Sequence, residues 1–283
     1  MRNTIFVEDC EILEHQEFAG EQFILVLKSE KIAKNTKAGQ FVHIRCSDEL
    51  LMRRPISIMK VDIKKGTFDL LYKKLGLGTE KLSQRKVGEL LNVMGPIGKG
   101  FELHKTHKIP LLIGGGVGMP PMIAIAQKIK NSDYNPFVIL GSEVPFPFIP
   151  TISKIGSSYK KASHSMPLLE SWNIACRLAS NQGYDGVFKG FVTDLAREYL
   201  NSLSKEDLAQ VEIFSCGPDA MLKAVYEVAK EYNLPCQISL EEHMACAVGG
   251  CAGCVVEVKT KNSIEMKKVC VDGPVFNAFD VYS

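Results

Sequence analysis

The stretch IPLLIGGGVGMPPMIAIAQKIK, residues 109–130, decides the fold of the longer half of the chain. Its aliphatic opening reads as a buried strand and GGGVG as a tight turn. Two prolines then stand in the first turn of a helix, where a missing N–H costs little. Strand, glycine turn and helix in that order begin a doubly wound sheet. FVIL at 137–140 and VEIFSCGP at 211–218, the latter followed by the helical DAMLKAVYEVAKEY, repeat the pattern. SCGP at 215–218 should end at the same carboxyl edge of the sheet as Gly114–Pro121, the edge at which open α/β sheets take ligands. The glycine turn is not G-x-G-x-x-G, so taken alone it also fits a close-packed strand-helix turn. Residues 142–167, rich in proline and serine, read as irregular or as an insertion.

Upstream the texture differs. FILVLKS (23–29), GQFVHIRC (39–46), ISIMKVDI (56–63), TFDLLYKK (67–74) and ELLNVMGP (89–96) are short, apolar and separated by glycine or lysine-rich turns. That spacing predicts a small antiparallel β-barrel. Within it, RRPISI (53–58) displays Arg54 and Ser57 around Pro55, which forces an extended backbone, and an arginine beside a hydroxyl suits a phosphate. GLGTEKLS (76–83) places Gly76, Gly78 and Thr79 ahead of a short helix, with Thr79 as its expected N-cap. Taken singly, each of these also fits a strand end or an ordinary cap.

Downstream lie clustered thiols. Cys246, Cys251 and Cys254 stand as C-x4-C-x2-C, and Cys270 follows sixteen positions later. A plant-type [2Fe-2S] cluster uses this spacing, because one tight loop offers three thiolates to two irons and a distant strand supplies the fourth. The loop should turn backbone N–H groups toward sulfur, with Gly249, Gly250 and Gly253 taking unusual φ values and Ala245, Ala247 and Ala252 keeping side chains out of the way. The rival reading, a structural zinc, usually shows two C-x2-C knuckles, and only one is present. Cys10, Cys46, Cys176 and Cys236 have no ligand-like spacing and read as small buried hydrophobes.

Composition narrows the class. With 34 basic and 32 acidic residues among 283, the formal net charge is +2, far from the footprint of a nucleic-acid binder. Nine cysteines, an odd number, with no export signal recognised at the N-terminus, argue for reduced thiols and a cytoplasmic protein. No stretch approaches the length of a membrane span. The expected division is an antiparallel barrel at 1–104, an α/β nucleotide domain at 105–235 and a cluster segment at 236–283.

In this order, the barrel with R-P-x-S, the glycine turn, C-G-P and the cysteine spacing resemble the ferredoxin-reductase-like flavoproteins. Within them, the chain is similar to the electron-transfer subunits of class 1B dihydroorotate dehydrogenases. RRPISI, GTEKLS, GPIGKGF, GGGVGMPPM, CGPDAML, SLEEHMACAVGGCAGC and CVDGPVF carry the resemblance, which runs nearly end to end. It implies FAD, a [2Fe-2S] cluster and NAD(H), or NADP(H), as cofactors. By it, Arg54, Pro55 and Ser57 contact the FAD pyrophosphate and isoalloxazine, and Gly78 and Thr79 contact the FAD phosphates. Gly115, Gly116 and Gly118 lie beside the nicotinamide nucleotide, with Cys216 near its ring, so that Ser57 and Cys216 are the catalytic candidates. Cys246, Cys251, Cys254 and Cys270 ligate the cluster. A hydride passes from NAD(P)H to flavin, and electrons leave singly through the cluster to a separate redox enzyme subunit, an FMN-containing dihydroorotate dehydrogenase being one such partner in a hetero-oligomer.

Residues 142–186 depart from the family pattern, which resumes at GFVTDL (190–195). Just past the second nucleotide strand, Glu143 either receives ribose hydroxyls, favouring NAD over NADP, or is a solvated loop residue. Met244, Ala247 and Val248 either form part of a docking surface or pack under the cysteine loop. A reductase component for an oxygenase or ferredoxin-type acceptor shares every motif. A flavin and iron-sulfur redox sensor is the non-enzymatic rival, although a sensor needs no hydride site.

Overall fold

The computed structural model describes residues 4–155, 162–259 and 263–282. The first six strands close into a barrel in the order β1 (Phe6–Phe18), β2 (Gln22–Lys28), β5 (Thr67–Lys73), β4 (Arg54–Asp62), β3 (Phe41–Ile44) and β6 (Leu90–Ile97). Two short helices interrupt it, α1 (Glu30–Asn35) and α2 (Leu77–Ser83). All pairings in the barrel are antiparallel, as the turn spacing predicts. β1 was not expected as a strand, because its many acidic residues mask the alternation. Asp9 and Glu11 face solvent while Cys10 and Ile12 point into a core shared with Leu25, Leu70 and Val93.

The second half opens as the glycine segment predicts, with β7 (Ile109–Gly115), a 3-10 turn at Gly116–Gly118 and α3 (Met119–Ile129). It continues through β8 (Phe137–Gly141), the ribbon β9 (Thr151–Ile152) and β10 (His164–Ser165), α4 (Pro167–Ser171), β11 (Ala175–Ser180), β12 (Phe188–Lys189), α5 (Val192–Ser202) and α6 (Lys205–Leu208). Then come β13 (Val211–Cys216), α7 (Asp219–Glu231) and β14 (Cys236–Ser239). The hairpin β15 (Val255–Lys259) and β16 (Ile264–Lys268) follows, and β17 (Val275–Asn277) and α8 (Ala278–Tyr282) close the chain.

Seven strands form one sheet in the order β12-β11-β8-β7-β13-β14-β17, parallel except for the last pairing. The order reverses around β7, so the carboxyl ends of β7 and β13 lie side by side, with Cys216 opposite Gly114. Apolar side chains from both faces of the sheet pack against α3 on one side and against α5 and α7 on the other.

The region from 142 onward is more ordered than its proline and serine content suggests. β11 is a full inner strand, parallel to β8 with Cys176 beside Val138, and it escaped notice because ACRLAS lacks a β-branched run. The Glu170 carboxylate of α4 accepts from the Lys154 N–H at 2.6 Å and the Ser153 hydroxyl at 3.1 Å, tying α4 to the β9–β10 ribbon. The part of the expected irregular segment at 156–161 lies outside the described residues. Cys10, Cys46, Cys176 and Cys236 are all buried, as small hydrophobes should be.

Candidate redox site

A cavity of about 490 Å³ opens where barrel, sheet and cysteine loop meet. From the barrel it takes Pro55 and Ser57 of β4, Tyr72 of β5 and Thr79 of α2; from the glycine turn, Val117; from the end of β14 and the run after it, Ser239 to Met244. Three regions far apart in sequence thus share one lining. The Ser57 hydroxyl has no hydrogen-bond partner among the described residues, and its residue faces this space.

The two adjacent arginines divide their work. Arg53 Nη1 donates to the carbonyls of His43 at 3.2 Å and Asn92 at 2.9 Å, clamping β3 to β6. Arg54 lies over α2, where a Cβ on Gly78 would collide with its guanidinium, so glycine at 78 is a condition for the arginine to sit there. Thr79 is not the N-cap expected from the sequence. Gly76 holds that position, and Thr79 is the third helical residue. Its Oγ1 accepts from the Leu75 N–H at 2.9 Å and the Gly76 N–H at 3.3 Å, reaching backwards as the far half of a capping box does. The first N–H groups of α2 then remain without intrahelical partners, as at any helix start.

On the sheet side, a Cβ on Gly118 would overlap the Cys216 carbonyl and lie 2.6 Å from Gly217 N. Gly118 therefore serves the close approach of turn and β13. Gly116 is different: its φ is +54°, and a Cβ there would meet nothing within 4 Å, so its outer side is open. Gly115 faces Met221 across the same edge. Cys216 is fully buried, and burial holds its thiol well above the ordinary thiol range. Ser239 and Glu241, both lining the cavity, are its polar neighbours. Glu241 faces the cavity, and the protein packed around it lifts its carboxyl above the usual carboxylate range.

Beyond Met244 the chain enters the cysteine loop. Cys246 Sγ accepts from the Gly250 N–H at 3.3 Å and the Cys251 N–H at 3.4 Å, and Cys251 Sγ accepts from the Gly253 N–H at 3.4 Å. These backbone donors, the Val248 N–H foremost, bring the Cys246 thiol down to about 6. Cys270 is buried in one cluster with Cys254, and burial and then the Cys254 thiol push its own thiol up to about 12. Lys268 Nζ donates to the Gly249 carbonyl at 2.9 Å, fastening the loop to the end of β16, two residues before Cys270 in the turn that follows.

The loop bends differently from expectation. Of the three glycines only Gly249 takes a positive φ, +87°, while Ala247 and Ala252 occupy the left-handed region at +56° and +55°. A Cβ in that region costs about 1–2 kcal/mol at each position, and alanine adds no atom beyond the Cβ to crowd the loop.

Met244 and Ala247 are buried with Phe41, Ile97, Cys254 and Cys270 beneath the loop, so of the expected surface trio only Val248 is exposed. Phe41 lines the cavity and packs in that same cluster, bridging cavity and cysteines. Sequence reasoning did not single out Phe41, Tyr72, Val117 or Glu241, since nothing in their local pattern announces a shared cavity.

The donor set fits the groups the motifs suggest. Four thiols on a loop with N–H groups aimed at sulfur suit an anionic iron-sulfur cluster. The four sulfurs do not all lie within 4.8 Å of one another, as ligands around a single tetrahedral ion would. The cavity, apolar at Pro55 and Tyr72 with a free hydroxyl at Ser57, suits a planar aromatic cofactor. The open side of Gly116 leaves room for a dinucleotide to approach the sheet edge.

Comparison with known proteins adds the family. Residues 9–102 match a family model described as the oxidoreductase FAD-binding domain. Residues 241–282 match the iron-sulfur cluster binding domain of dihydroorotate dehydrogenase B. The electron transfer subunit of dihydroorotate dehydrogenase B (NAD(+)) from Shouchella clausii is 34% identical over 274 residues, covering 95% of this chain and 96% of that one. Its counterpart from Bacillus mycoides is 36% identical over 276 residues, covering 94% of each. Among solved structures, an NADH-dependent reduced ferredoxin-NADP oxidoreductase superposes with a TM-score of 0.79 at 26% identity, over 97% of this chain and 90% of that one. The ferredoxin reductase of carbazole 1,9a-dioxygenase shares the fold, with a TM-score of 0.62 at 21% identity over 82% of this chain and 67% of that one.

Proposed function

The chain belongs to the family of electron transfer subunits of dihydroorotate dehydrogenase B, and from that premise we propose that it carries electrons from NADH, through FAD and a [2Fe-2S] cluster, to a separate catalytic subunit. The observation that carries this reading is the shared cavity, where Pro55 and Ser57 of the barrel, Val117 of the glycine turn and the run leading to Cys246 form one wall. When bound, the flavin and the cluster supply the redox chemistry, converting a two-electron donor into one-electron output.

The residues of the chain bind, orient and insulate. Arg54, stacked over Gly78, and the free N–H groups at the start of α2 receive the flavin's phosphates, and the Thr79 hydroxyl fixes the loop that presents them. Pro55 and Ser57, which line the cavity, would contact the ring system, with the Ser57 hydroxyl available to hydrogen-bond it. Gly115, Gly116 and Gly118 admit the nicotinamide nucleotide along the sheet edge. Cys216, kept a neutral thiol by its burial, borders the place where the nicotinamide lies. Cys246, Cys251, Cys254 and Cys270 hold the cluster, with Phe41 and Met244 closing the gap between it and the cavity to water.

The same reading divides the chain into a flavin barrel at 1–104, a nucleotide domain at 105–235 and a cluster segment at 236–283. Exposed two residues past the end of β8, Glu143 would receive ribose hydroxyls and favour NADH. No helix among the described residues is long and apolar enough to cross a membrane, and we assign the subunit to the cytoplasm.

The test is an anaerobic spectrum of the purified protein before and after one equivalent of NADH, with iron and flavin quantified. Two irons and one FAD per chain, with both sets of bands bleached, are expected. Bound cofactors that stay oxidised with NADH and with NADPH would overturn the assignment of the donor.

A further inference from the structure

Away from the redox cavity, at the opposite end of the sheet, a second group of ligand side chains converges. Glu212 is the second residue of β13, and Cys216 at the other end of that strand lies roughly 13 Å away at 3.3 Å per residue. The Glu212 carboxylate is buried at 1% exposure, where a charge needs a counter-charge or a full set of donors. Gln237 Nε2 donates to it at 2.8 Å, and His104 Nδ1 lies 3.0 Å from each oxygen. Its ion-pairing partner among the described residues is this imidazole alone, and an imidazole is a cation only when protonated.

His107 completes the group. Its N–H donates to the His104 carbonyl at 3.0 Å, so the two histidines share one turn and their rings stand 6.4 Å apart. One ligand atom from each of His104, His107 and Glu212 lies within 4.8 Å of the other two. The supports are already in place. Gln237, which orients Glu212, is itself fixed by Glu102 on both sides, accepting from its N–H at 3.1 Å and donating to its carbonyl at 2.6 Å. Thr106 Oγ1 lies 3.1 Å from His107 Nδ1, leaving Nε2 free to ligate.

We propose that His104, His107 and Glu212 bind one zinc-like divalent cation, pinning the 101–108 linker between barrel and sheet to the base of β13. Two imidazoles and a carboxylate, with a fourth position open to water, form a recurrent zinc ligand set, whereas magnesium and calcium favour all-oxygen sites. The cation neutralises the buried carboxylate without requiring a protonated imidazole. The site shares no residue with the redox cavity, so it stands independently of the electron-transfer assignment.

Zinc chloride titrated calorimetrically into the cofactor-replete, chelator-treated protein tests this, with the visible bands recorded to show that the cluster is intact. One equivalent should bind, and zinc should raise the melting temperature. His107→Ala and, at the exposed neighbouring position, His104→Ala should each weaken binding by more than about 100-fold, since direct ligands matter more than the supporting groups whose loss costs 10–100-fold. Both should abolish the thermal shift while leaving NADH-driven bleaching unchanged. Absence of saturable binding, or equal affinity in the two variants and the parent, would overturn the proposal.

Discussion

Gly116→Ala tests the nucleotide turn most sharply, because Gly88 provides a matched control. Both glycines have positive φ, +54° and +87°, and a Cβ at either would meet nothing within 4 Å. Each substitution therefore carries the same kind of cost, about 1–2 kcal/mol for a Cβ in the left-handed region. For a chain of this size that lowers the melting temperature by about 2–8 °C. Gly88 lies in the turn before β6, its N–H donating to the Ile12 carbonyl at 2.8 Å, remote from the sheet edge. At Gly116 the added methyl projects into the space assigned to the dinucleotide. Overpacking against a bound ligand, at about 1–3 kcal/mol, weakens NADH by roughly fivefold to 150-fold. Melting followed by circular dichroism and NADH titration of flavin reduction read the two effects separately. The expected result is two equally destabilised variants, of which only Gly116→Ala loses affinity for NADH. Equal NADH affinity in both variants would refute the placement of the nucleotide over this turn.

Burial, reinforced by the neighbouring Arg53, holds the His43 imidazole down at about 4, against about 6.5 when unfolded. The unfolded chain takes up a proton that the native chain refuses, so stability should fall by up to about 3 kcal/mol as pH drops from about 6.5 to about 4. His43→Leu should flatten that slope in denaturant titrations across this range; an unchanged slope would put the acid sensitivity elsewhere. Thr79→Val removes the acceptor for the Leu75 and Gly76 N–H groups and should cost about 1 kcal/mol, read as a lower FAD-to-protein ratio after dialysis. Lys268→Met breaks the tie to the Gly249 carbonyl. At about 1.5–3 kcal/mol for a charged hydrogen bond, it should shorten the half-life of cluster absorbance under chelator by roughly tenfold or more, with flavin content unchanged.

What could be read from the sequence followed local chemistry. The glycine-and-proline punctuation of 109–130 announced β7 and α3, because turn and helix start are each decided within a few residues. The cysteine spacing announced the loop for the same reason. β1 stayed hidden because Asp9 and Glu11 on its outer face obscure the inward Cys10 and Ile12, and β11 because a fully buried parallel strand needs no alternation. Thr79 was assigned the wrong cap position, since Gly76 caps through its backbone and leaves no side-chain signature. The cavity wall at Phe41, Val117 and Glu241, and the meeting of His104 with Glu212 108 residues away, are products of tertiary assembly that no local window contains.

The pairing of β17 with β14 makes the cysteine-bearing tail more than an appendage. Five residues after Cys270 the chain is already paired with the sheet, with Val275 beside Ser239 and Asn277 beside Gln237. The tail thus shields what would otherwise be the raw margin of a parallel sheet, a surface prone to recruit strands from other molecules. A molecule that lost this pairing would expose the backbone donors and acceptors of β14, and would become adhesive as well as misassembled.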